Sequence, residues 1–401
     1  MQIAIIGGGA AGFFSAIHVK ENFPDAFLVI YEKSDKTLSK VKVSGGGRCN
    51  LTNGCTDIND FSEAYPRGAR QLRKAFGHFD NKDTMKWFED RGVPLVIQDD
   101  NCVFPASQDS QSIIDCFMNE AKRLNIKIEL NAGIIGVEPI GNQIKLEFEK
   151  GSKVFDKVIV ATGGSPKRAG LAWLENIGHE IEEPVPSLFT FNMPSENIKT
   201  LMGIVVENPS ISIQGTKLKS DGPLLITHWG MSGPAVLKLS AYGARILSDL
   251  NYEFKIQVNW VNIRQTESVL DDLYAVVLRN SNKLLLNFRP YSLPERLWHY
   301  LLERGGLSKE LTWGQLGKKT LNKMVNILTN DVYTVSGKTT FKEEFVTCGG
   351  VSLNSIDFKT MQSKVCPNLY FAGEVMDIDG ITGGYNFQAA WTTAFIAAKL
   401  H

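Results

Sequence analysis

The 401-residue sequence lacks several features that would assign it to a special class of protein. It has no run of eighteen apolar residues, so we expect no membrane-spanning helix. Its 43 basic residues are balanced by 43 acidic ones, and a net charge of zero argues against nucleic acid or an acidic membrane as a partner. It also has no internal repeat or low-complexity segment. With 43% hydrophobic and 21% charged residues, it has the composition of an ordinary globular protein.

Cysteine and histidine are scarce as well. The six cysteines include no pair at the two-residue spacing of structural zinc sites or thioredoxin-like motifs, so we expect reduced thiols in a cytoplasmic protein. The six histidines form no helical pair or cluster, and we predict no metal site. The first apolar stretch lacks a positively charged start and is interrupted by glycines, which argues against a signal peptide.

The most informative motif is a strand that runs into glycines. The apolar segment 2–6 is followed at once by Gly-Gly-Gly-Ala-Ala-Gly at positions 7–12. In a dinucleotide-binding turn, Gly7 permits the tight turn, Gly9 lets the backbone approach a pyrophosphate, and Gly12 lets the helix pack on the strand. The amide groups at the start of that helix then face the phosphate charge.

An acidic residue completes the motif. Glu32 follows the second apolar run, 26–31, twenty positions after Gly12, where it is suited to accept hydrogen bonds from ribose hydroxyls. Strand, glycines, helix and acid in this order predict a bound dinucleotide. The alternative is an α/β protein whose glycine turn binds none.

A second glycine cluster occupies residues 44–53, with the sequence Ser-Gly-Gly-Gly-Arg-Cys-Asn-Leu-Thr-Asn. Three successive glycines cannot pack a core, so we interpret the segment as a loop whose backbone lines a ligand, with Arg48 and the two asparagines offering polar contacts. The alternative is a plain surface loop with a helix cap.

The carboxyl-terminal part repeats the first motif. The strand 369–372 leads to Gly373 and Glu374, and a glycine-rich turn at 377–388 opens an apolar helix, 389–400. Free amides at residues 384–386, with the helix dipole, would stabilise the negative charge that a reduced flavin carries on its pyrimidine edge. We therefore assign this end to the isoalloxazine ring of FAD and the amino-terminal end to the pyrophosphate and adenosine. A core helix behind a sharp turn is the alternative.

The middle of the chain has a different pattern. Short β-like runs fill its first part and helical patterns its second, including a stripe beginning near Thr266. We predict an α/β fold with a discontinuous Rossmann-like FAD-binding domain at 1–185 and 338–401. A β-barrel-like insertion at 186–262 and a helical subdomain at 263–337 interrupt it.

The chain resembles a bacterial family of FAD flavoproteins described as NAD(P)/FAD-dependent oxidoreductases, or aminoacetone-oxidase-like, which includes a bile-acid-inducible flavoprotein. The resemblance covers nearly the whole chain. Its motifs are the glycine turn at 7–12, the loop at 44–53, Thr-His-Trp-Gly-Met-Ser-Gly-Pro at 227–234, Cys-Gly-Gly-Val at 348–351, and the segments 373–377 and 383–386.

The resemblance implies a role for particular residues. Glu32 would bind the adenosine ribose, Ile134 would contact adenine through its backbone, and Lys40 with the 45–50 loop would line the cofactor. Residues 373, 374 and 384–387 would hold the ribityl chain and flavin. Leu38-Ser39 departs from the Gly-Arg that relatives commonly carry there, which leaves any arginine contact at that point in doubt. The predicted cofactor-binding residues are Gly7, Gly9, Ala10, Ala11, Gly12, Glu32, Lys33, Lys40, Gly45, Gly46, Arg48, Cys49, Asn50, Thr52, Ile134, Ala161, Thr162, Gly163, Gly373, Glu374, Asp379, Gly383, Gly384, Tyr385, Asn386 and Phe387.

These features predict an FAD-dependent oxidoreductase that transfers hydride between a reduced donor, NAD(P)H, and a small organic substrate or oxygen. Only one complete dinucleotide-binding motif is present, the one at residues 2–32. NAD(P)H would therefore bind without a Rossmann domain of its own. For the substrate chemistry we predict Arg48, holding a carboxylate or neutralising the reduced flavin, and His228, exchanging protons. The alternative for each is a local structural bond.

Three alternative functions follow from the same residues. Cys49 and Cys55 suggest a disulfide reductase, although five residues separate them instead of the usual four and a second dinucleotide domain is missing. A non-catalytic flavin sensor is the second. An RNA-modifying flavoprotein is the third, and the neutral charge and the lack of a basic, aromatic RNA-binding stripe argue against it.

Overall fold

The computed structural model describes residues 1–339 and 346–401. The helices are α1 (Ala10–Asn22), α2 (Ser39–Gly47), α3 (Ile58–Glu63), α4 (Ala69–Ala75), α5 (Asn81–Glu89), α6 (Gln111–Arg123), α7 (Ala172–Glu175), α8 (Pro234–Asp249), α9 (Thr266–Asn280), α10 (Glu295–Arg304), α11 (Lys318–Thr329) and α12 (Tyr385–Ala397).

The strands are β1 (Gln2–Ile6), β2 (Phe27–Tyr31), β3 (Thr52–Asn53), β4 (Leu95–Ile97), β5 (Cys102–Pro105), β6 (Lys127–Glu129), β7 (Ile134–Ile140), β8 (Gln143–Phe148), β9 (Gly151–Phe155), β10 (Lys157–Val160), β11 (Ile181–Ser187), β12 (Thr190–Asn192), β13 (Val205–Val206), β14 (Ser210–Ile213), β15 (Lys219–Asp221), β16 (Leu224–Ile226), β17 (Gly230–Ser232), β18 (Glu253–Asn259), β19 (Asp331–Ser336), β20 (Lys338–Thr339), β21 (Val346–Val351), β22 (Ile356–Asp357), β23 (Gln362–Ser363) and β24 (Leu369–Phe371).

The chain divides into two compact units. The first combines Met1–Ser187 with Phe341–His401, and the second is Leu188–Thr340. The sequence placed these boundaries at 185/186 and 337/338. Each unit has its own hydrophobic core.

The first unit is built on a seven-stranded sheet in the order β22-β23-β24-β10-β1-β2-β6. Strand β1 pairs in parallel with β10 on one side and β2 on the other, and Ala4 aligns with Val158 and Val29. Both faces of such a strand are covered, which explains why residues 3–6 of β1 are all apolar and buried instead of alternating with polar residues. The carboxyl ends of the parallel strands therefore meet at one edge, where α/β folds bind ligands.

The second unit contains two sheets and four helices among the residues that are described. One sheet has the order β13-β16-β17-β12-β20 and the other β15-β14-β18-β19. Helices α9, α10 and α11 lie between β18 and β19 in sequence. Each presents an apolar stripe to the core, as the periodicity predicts.

Helix α8 is the main difference from the sequence analysis, which identified only strands in this part of the chain. It is a 16-residue helix whose first residue is proline. Three other helical segments were not predicted, namely α3, α7 and the first turns of α2, and the predicted 44–53 loop begins inside α2. Strand β21 begins at Val346, and residues 340–345 of the predicted FAD-binding segment 338–401 lie outside the described part.

Two absences hold for residues 1–339 and 346–401. No helix there has the length and apolarity needed to cross a membrane. No group of three or more histidine, cysteine, aspartate or glutamate side chains there is arranged to hold a metal ion.

Candidate functional site

The amino-terminal glycines occupy positions that differ in the space available to a side chain. Gly7 has φ +114°, and a Cβ added to it would lie 2.3 Å from the carbonyl oxygen of Ala161. A Cβ on Gly12 would lie 1.9 Å from the carbonyl oxygen of Gly7. A Cβ on Gly9, by contrast, meets nothing within 4 Å. Packing requires the first two glycines, and Gly9 borders open space.

That open space lies at the start of helix α1. Gly9 is the N-cap of this helix, and Ala10 and Ala11 are its first residues. The amide groups of a first helical turn have no acceptor within the helix, and they favour an anion. The turn therefore fits a pyrophosphate.

Glu32 ends the second strand with its carboxylate turned towards the glycine turn. Its Oε2 accepts from the amide of Gly8 at 2.8 Å, and its Oε1 accepts from the amide and hydroxyl of Ser34 at 2.9 and 2.7 Å. A carboxylate oxygen accepts two hydrogen bonds, so Oε2 has capacity for a ribose hydroxyl. Lys33, next in the chain, is exposed.

The segment before β7 lies beside Glu32. The amide of Ala132 donates to the carbonyl of Glu32 at 2.8 Å, and β7 begins two residues later at Ile134. The structure thus brings the predicted adenine contact close to the predicted ribose contact. Both assignments stay predictions.

The second glycine cluster adopts a left-handed path. Gly45, Gly46 and Gly47 have φ values of 58°, 69° and 83°, and a Cβ on Gly46 would meet nothing within 4 Å. Residues with a Cβ atom rarely adopt this backbone conformation, which explains the run of three glycines. Cys49 follows at φ 62° and is fully buried, and burial raises the pKa of its thiol to about 12.

Arg48 is held by its own surroundings. Its Nε donates to the carbonyl of Gly45 at 3.3 Å, one Nη donates to Gln108 at 3.2 Å, and the guanidinium lies 4.1 Å from the ring centre of Phe104. These contacts supply the structural role that the sequence left as an alternative. A contact with substrate or flavin stays a prediction.

The end of this loop contacts the start of helix α12, more than 300 residues further along the chain. The side-chain Nδ2 of Asn53 donates to the carbonyl of Gly383 at 3.1 Å. The Asn50 side chain, with its amide oriented to satisfy its neighbours, accepts from the amide of Gly384 at 3.3 Å. A Cβ on Gly384 would lie 2.3 Å from the carbonyl oxygen of Thr52. Two predicted cofactor motifs therefore form one surface.

The turn before α12 is fixed by further contacts. Asn386 exchanges two hydrogen bonds with the backbone of Gly380, at 2.8 and 2.9 Å. The carbonyl of Tyr385 accepts from the hydroxyl of Tyr65 at 2.7 Å. Phe387 stacks on Trp391 with ring centres 5.5 Å apart. The three predicted flavin-facing residues thus occupy a defined helix start.

Glu374 connects further predicted residues. Its Oε2 lies 2.8 Å from Nζ of Lys40, and its Oε1 accepts from the amide of Thr347 at 2.9 Å. A Cβ on Gly163 would be 3.8 Å from this carboxylate. Ala161 and Thr162 connect the end of β10 to Gly163.

Gly373, just before Glu374, packs against helix α1. It has φ +76°, and its Cβ would lie 3.0 Å from that of Ala11. The hydroxyl oxygen of Thr347 is buried and has no hydrogen-bond partner among the described residues. It is one of six such atoms in the described part of the chain, and it offers a hydrogen bond to a ligand bound at this edge of the sheet.

Asp379 was predicted to contact the cofactor, but its carboxylate is fully buried. It pairs with the guanidinium of Arg67 and accepts from the hydroxyl of Ser187 at 2.7 Å. Burial raises the pKa of Asp379, and Arg67 opposes that rise. These contacts anchor the turn, and direct cofactor contact by this side chain stays a prediction.

His228 belongs to the second unit. Its side chain is exposed, and its ring packs edge-on against Trp229 with centres 4.4 Å apart. Nothing in this arrangement activates the imidazole. Its role in proton exchange stays a prediction.

Sequence reasoning missed two residues at this edge of the sheet, Thr347 and Gln388. Both lie inside or next to motifs that the resemblance identified, yet neither is of a type that suggests cofactor chemistry. Only their burial and partners distinguish them.

Strand, glycine turn and helix at both ends of the chain, joined in one unit on a parallel sheet, define a Rossmann-type dinucleotide-binding protein. A family profile described as the HI0933-like protein Rossmann domain matches residues 1–400. The chain belongs to this family, as the resemblance implied, and it is an FAD-dependent oxidoreductase.

Relatives match over nearly the full length. A 3-dehydro-bile acid delta(4,6)-reductase from Clostridium scindens is 25% identical over 415 residues, covering 99% of this chain and 98% of the relative. A ribosomal RNA dihydrouridine synthase from Escherichia coli is 28% identical, covering 98% and 96%. The corresponding protein of Haemophilus influenzae is 27% identical, with the same coverage.

Among solved structures, the 3-ketosteroid delta1-dehydrogenase from Sterolibacterium denitrificans superimposes with a TM-score of 0.52 at 10% identity. The match covers 99% of this chain and 98% of that one. At this identity the likeness concerns the fold alone. It confirms the predicted α/β class.

Proposed function

We propose that this enzyme reduces a carbon–carbon double bond conjugated to a carbonyl group, with NADH or NADPH as the electron donor. The observation that carries the proposal is the chemistry shared by relatives that match 98–99% of the chain. A 3-dehydro-bile acid delta(4,6)-reductase and a dihydrouridine synthase, as named, both saturate a double bond near a carbonyl group.

Bound FAD would supply the two-electron carrier between donor and substrate. The chain's own residues would hold it: the turn at 7–12 for the pyrophosphate, Glu32 for the ribose, and the surface formed by the 50–53 loop and the start of α12 for the ring. The first-turn amides of α12 present partial positive charge to that surface. Overall, a donor hydride and a solvent proton convert one C=C bond to CH–CH.

For the substrate we propose a small organic molecule such as a 3-oxo steroid with a conjugated double bond. The neutral net charge of the chain supports a substrate without a phosphate backbone. Oxygen would accept the electrons when no such substrate is present.

Uridine in RNA is a second candidate, favoured by a specific observation. The net charge of zero is not evenly distributed between the two units. Leu188–Thr340 carries 17 basic and 12 acidic residues, whereas the remainder of the chain carries 26 basic and 31 acidic ones. A positive unit attached to a negative cofactor unit is a pattern that suits a nucleic-acid partner. The two dihydrouridine synthases among the relatives point the same way.

The disulfide-reductase alternative loses support at Cys49. Disulfide exchange needs a thiolate, and a buried thiol with a pKa of about 12 supplies very little at neutral pH. Cys55 is a free thiol whose Sγ donates to the carbonyl of Asp57 at 3.5 Å.

The test is anaerobic turnover of the purified, FAD-loaded protein. NADH and NADPH oxidation would be followed with a 3-oxo-Δ4 steroid, with its saturated analogue as control, and with a uridine-containing ribosomal RNA transcript. Mass spectrometry would detect the gain of two hydrogen atoms in the product. We expect reduction of one conjugated substrate only. Reduction of neither substrate under these conditions, with NAD(P)H oxidised only once air is admitted, would contradict the proposal.

A further inference from the structure

A buried network of side chains lies behind the surface formed by the 50–53 loop and the start of α12. Its centre is Gln388, which is fully buried and sits in the first turn of that helix. Its amide oxygen accepts from Thr52 Oγ1 at 2.6 Å and from Thr84 Oγ1 at 2.8 Å, and the Thr84 hydroxyl also lies 3.1 Å from the carbonyl of Asp80. Both lone pairs of the amide oxygen are therefore used.

The other half of the amide continues the network. Nε2 of Gln388 donates to Thr392 Oγ1 at 3.1 Å, and that hydroxyl donates to the carbonyl of Phe79 at 2.8 Å. One side chain thus connects β3, α5, α12 and the chain just before α5. Each of the three hydroxyls is on a fully buried residue, so none of these bonds can be exchanged for water.

We propose that Gln388 is the positioning residue that holds the 50–53 loop against the start of α12 and thereby sets the shape of the flavin-facing surface. The inference rests on the assignment of that surface to FAD. Gln388 does not reach the surface itself. Its effect is transmitted through Thr52 and the backbone around Gly384, which are in van der Waals contact.

The 50–53 loop and the start of α12 approach each other too closely for either to shift without disturbing the other. The carbonyl of Thr52 already occupies the space where a Cβ of Gly384 would be. A loop released from Gln388 would shift relative to the helix start. The hydrogen bond from Asn53 to Gly383 and the one from Gly384 to Asn50 would then lengthen. The amides that would face the ring would then move with the turn.

The experiment compares two variants of Gln388 with a control. Gln388→Leu keeps the approximate size but removes all three bonds, whereas Gln388→Glu, which burial keeps protonated, retains an acceptor oxygen and a donor. The control is Ser363→Ala at the antiparallel edge of the same sheet. Its buried hydroxyl also makes three bonds, to His179, Val365 and Cys366.

FAD affinity would be measured by titrating the apoprotein and following flavin fluorescence, together with the midpoint potential of bound FAD and the thermal midpoint of the apoprotein. We expect Gln388→Leu to weaken FAD binding about tenfold or more and to make the potential more negative. Gln388→Glu should stay within about threefold of wild type, and Ser363→Ala within about twofold despite a lower thermal midpoint.

Equal FAD affinity and potential in wild type and Gln388→Leu would overturn the inference, and so would equal effects of Gln388→Leu and Ser363→Ala. If wild-type protein itself binds no FAD, the cofactor assignment fails instead. The apoprotein titration separates the two failures because it needs no substrate.

Discussion

Nζ of Lys40 lies 2.8 Å from Oε2 of Glu374, although the two residues are 334 positions apart in the sequence. The opposite carboxylate oxygen accepts from the amide of Thr347 at 2.9 Å. The lysine comes from helix α2 and the glutamate from the turn after β24, so the pair joins the two ends of the cofactor-binding unit. Its position suits a role in fixing the Glu374 carboxylate next to the ligand.

Replacing Lys40 with methionine tests that role. The lysine is about half exposed, so we expect the free energy of unfolding to change by less than about 1 kcal/mol. FAD affinity should fall about three- to tenfold, because Glu374 loses one of the two partners that orient its carboxylate. Fluorescence titration of the apoprotein measures the affinity, and urea denaturation measures the stability.

Lys42→Met is the matched control on the same helix. Lys42 is 52% exposed and lies 3.6 Å from Asp109, which is not a predicted cofactor residue. It should leave FAD affinity unchanged. If both variants weaken FAD equally, the effect is one of general charge and the specific role of Lys40 is wrong.

Alanine substitutions at Gly12 and Gly9 should distinguish an effect on folding stability from an effect on FAD binding. Gly12→Ala places a methyl group 1.9 Å from the carbonyl oxygen of Gly7, so it should destabilise the apoprotein by about 2 kcal/mol or more. Gly9→Ala meets nothing within 4 Å and should cost less than about 1 kcal/mol. The same methyl group would occupy space assigned to the pyrophosphate, so Gly9→Ala should bind FAD at least tenfold more weakly.

Thermal unfolding of both apoproteins and FAD titration of the Gly9 variant check this pair. A Gly9→Ala protein with wild-type affinity would place the pyrophosphate elsewhere. A Gly12→Ala protein as stable as wild type would contradict the close packing of α1 on β1.

The cofactor unit was predictable from sequence because its signals are local. Positive φ values and close backbone approaches require glycine at particular positions, so Gly7 and Gly12 mark the turn without knowledge of the rest of the fold. The apolar runs of β1, β2 and β10 likewise report burial on both faces of a parallel sheet.

The features that the sequence did not predict depend mainly on contacts with residues far away in the chain. Gln388 looks like any helical residue until Thr52 and Thr84 are placed beside it. The structural partner of Asp379 is equally distant, because Arg67 provides its counter-charge from 312 positions away. Helix α8 was missed for a different reason, since Pro234 at its first position and the apolar spacing after it were local signals of a helix start.

Cys55 offers a direct test of the disulfide-reductase alternative. Because Cys49 is buried with a thiol pKa of about 12, the pair is not arranged for exchange, and we expect Cys55→Ser to keep NAD(P)H-dependent turnover within about twofold. Activity with the best substrate is compared before and after the substitution. A loss of about a hundredfold, with FAD still bound, would revive the redox-cysteine mechanism.

The two predicted catalytic residues should behave differently. Arg48→Ala removes bonds to Gly45 and Gln108, so FAD affinity should fall along with turnover. His228→Ala alters an exposed side chain, so FAD affinity should be unchanged and turnover should fall about tenfold or more only if the imidazole transfers a proton. Stopped-flow measurement of the substrate-dependent step separates the two effects. Unchanged turnover in both variants would remove both residues from the mechanism.

His179 should make the first unit sensitive to acid. The ring is buried, with one nitrogen 3.1 Å from the carbonyl of Leu174 and the other 2.8 Å from Ser363 Oγ, and burial lowers its pKa below the ordinary 6.5. The unfolded chain therefore takes up a proton on this residue as the pH falls through 6.5, whereas the buried ring of the folded protein takes it up only at a lower pH. The stabilisation from the neutral ring is present above pH 6.5 and is lost below it.

His179→Gln should reduce this pH dependence. Glutamine can donate and accept at the same two positions but does not titrate, so the fall in the free energy of unfolding between pH 7.5 and pH 5 should shrink by about 1 kcal/mol. Urea denaturation at the two pH values measures it, with His78→Gln, an exposed position, as the control. Identical pH profiles for wild type and His179→Gln would mean that the buried ring takes up its proton as readily as the unfolded chain, and burial would then not govern its titration.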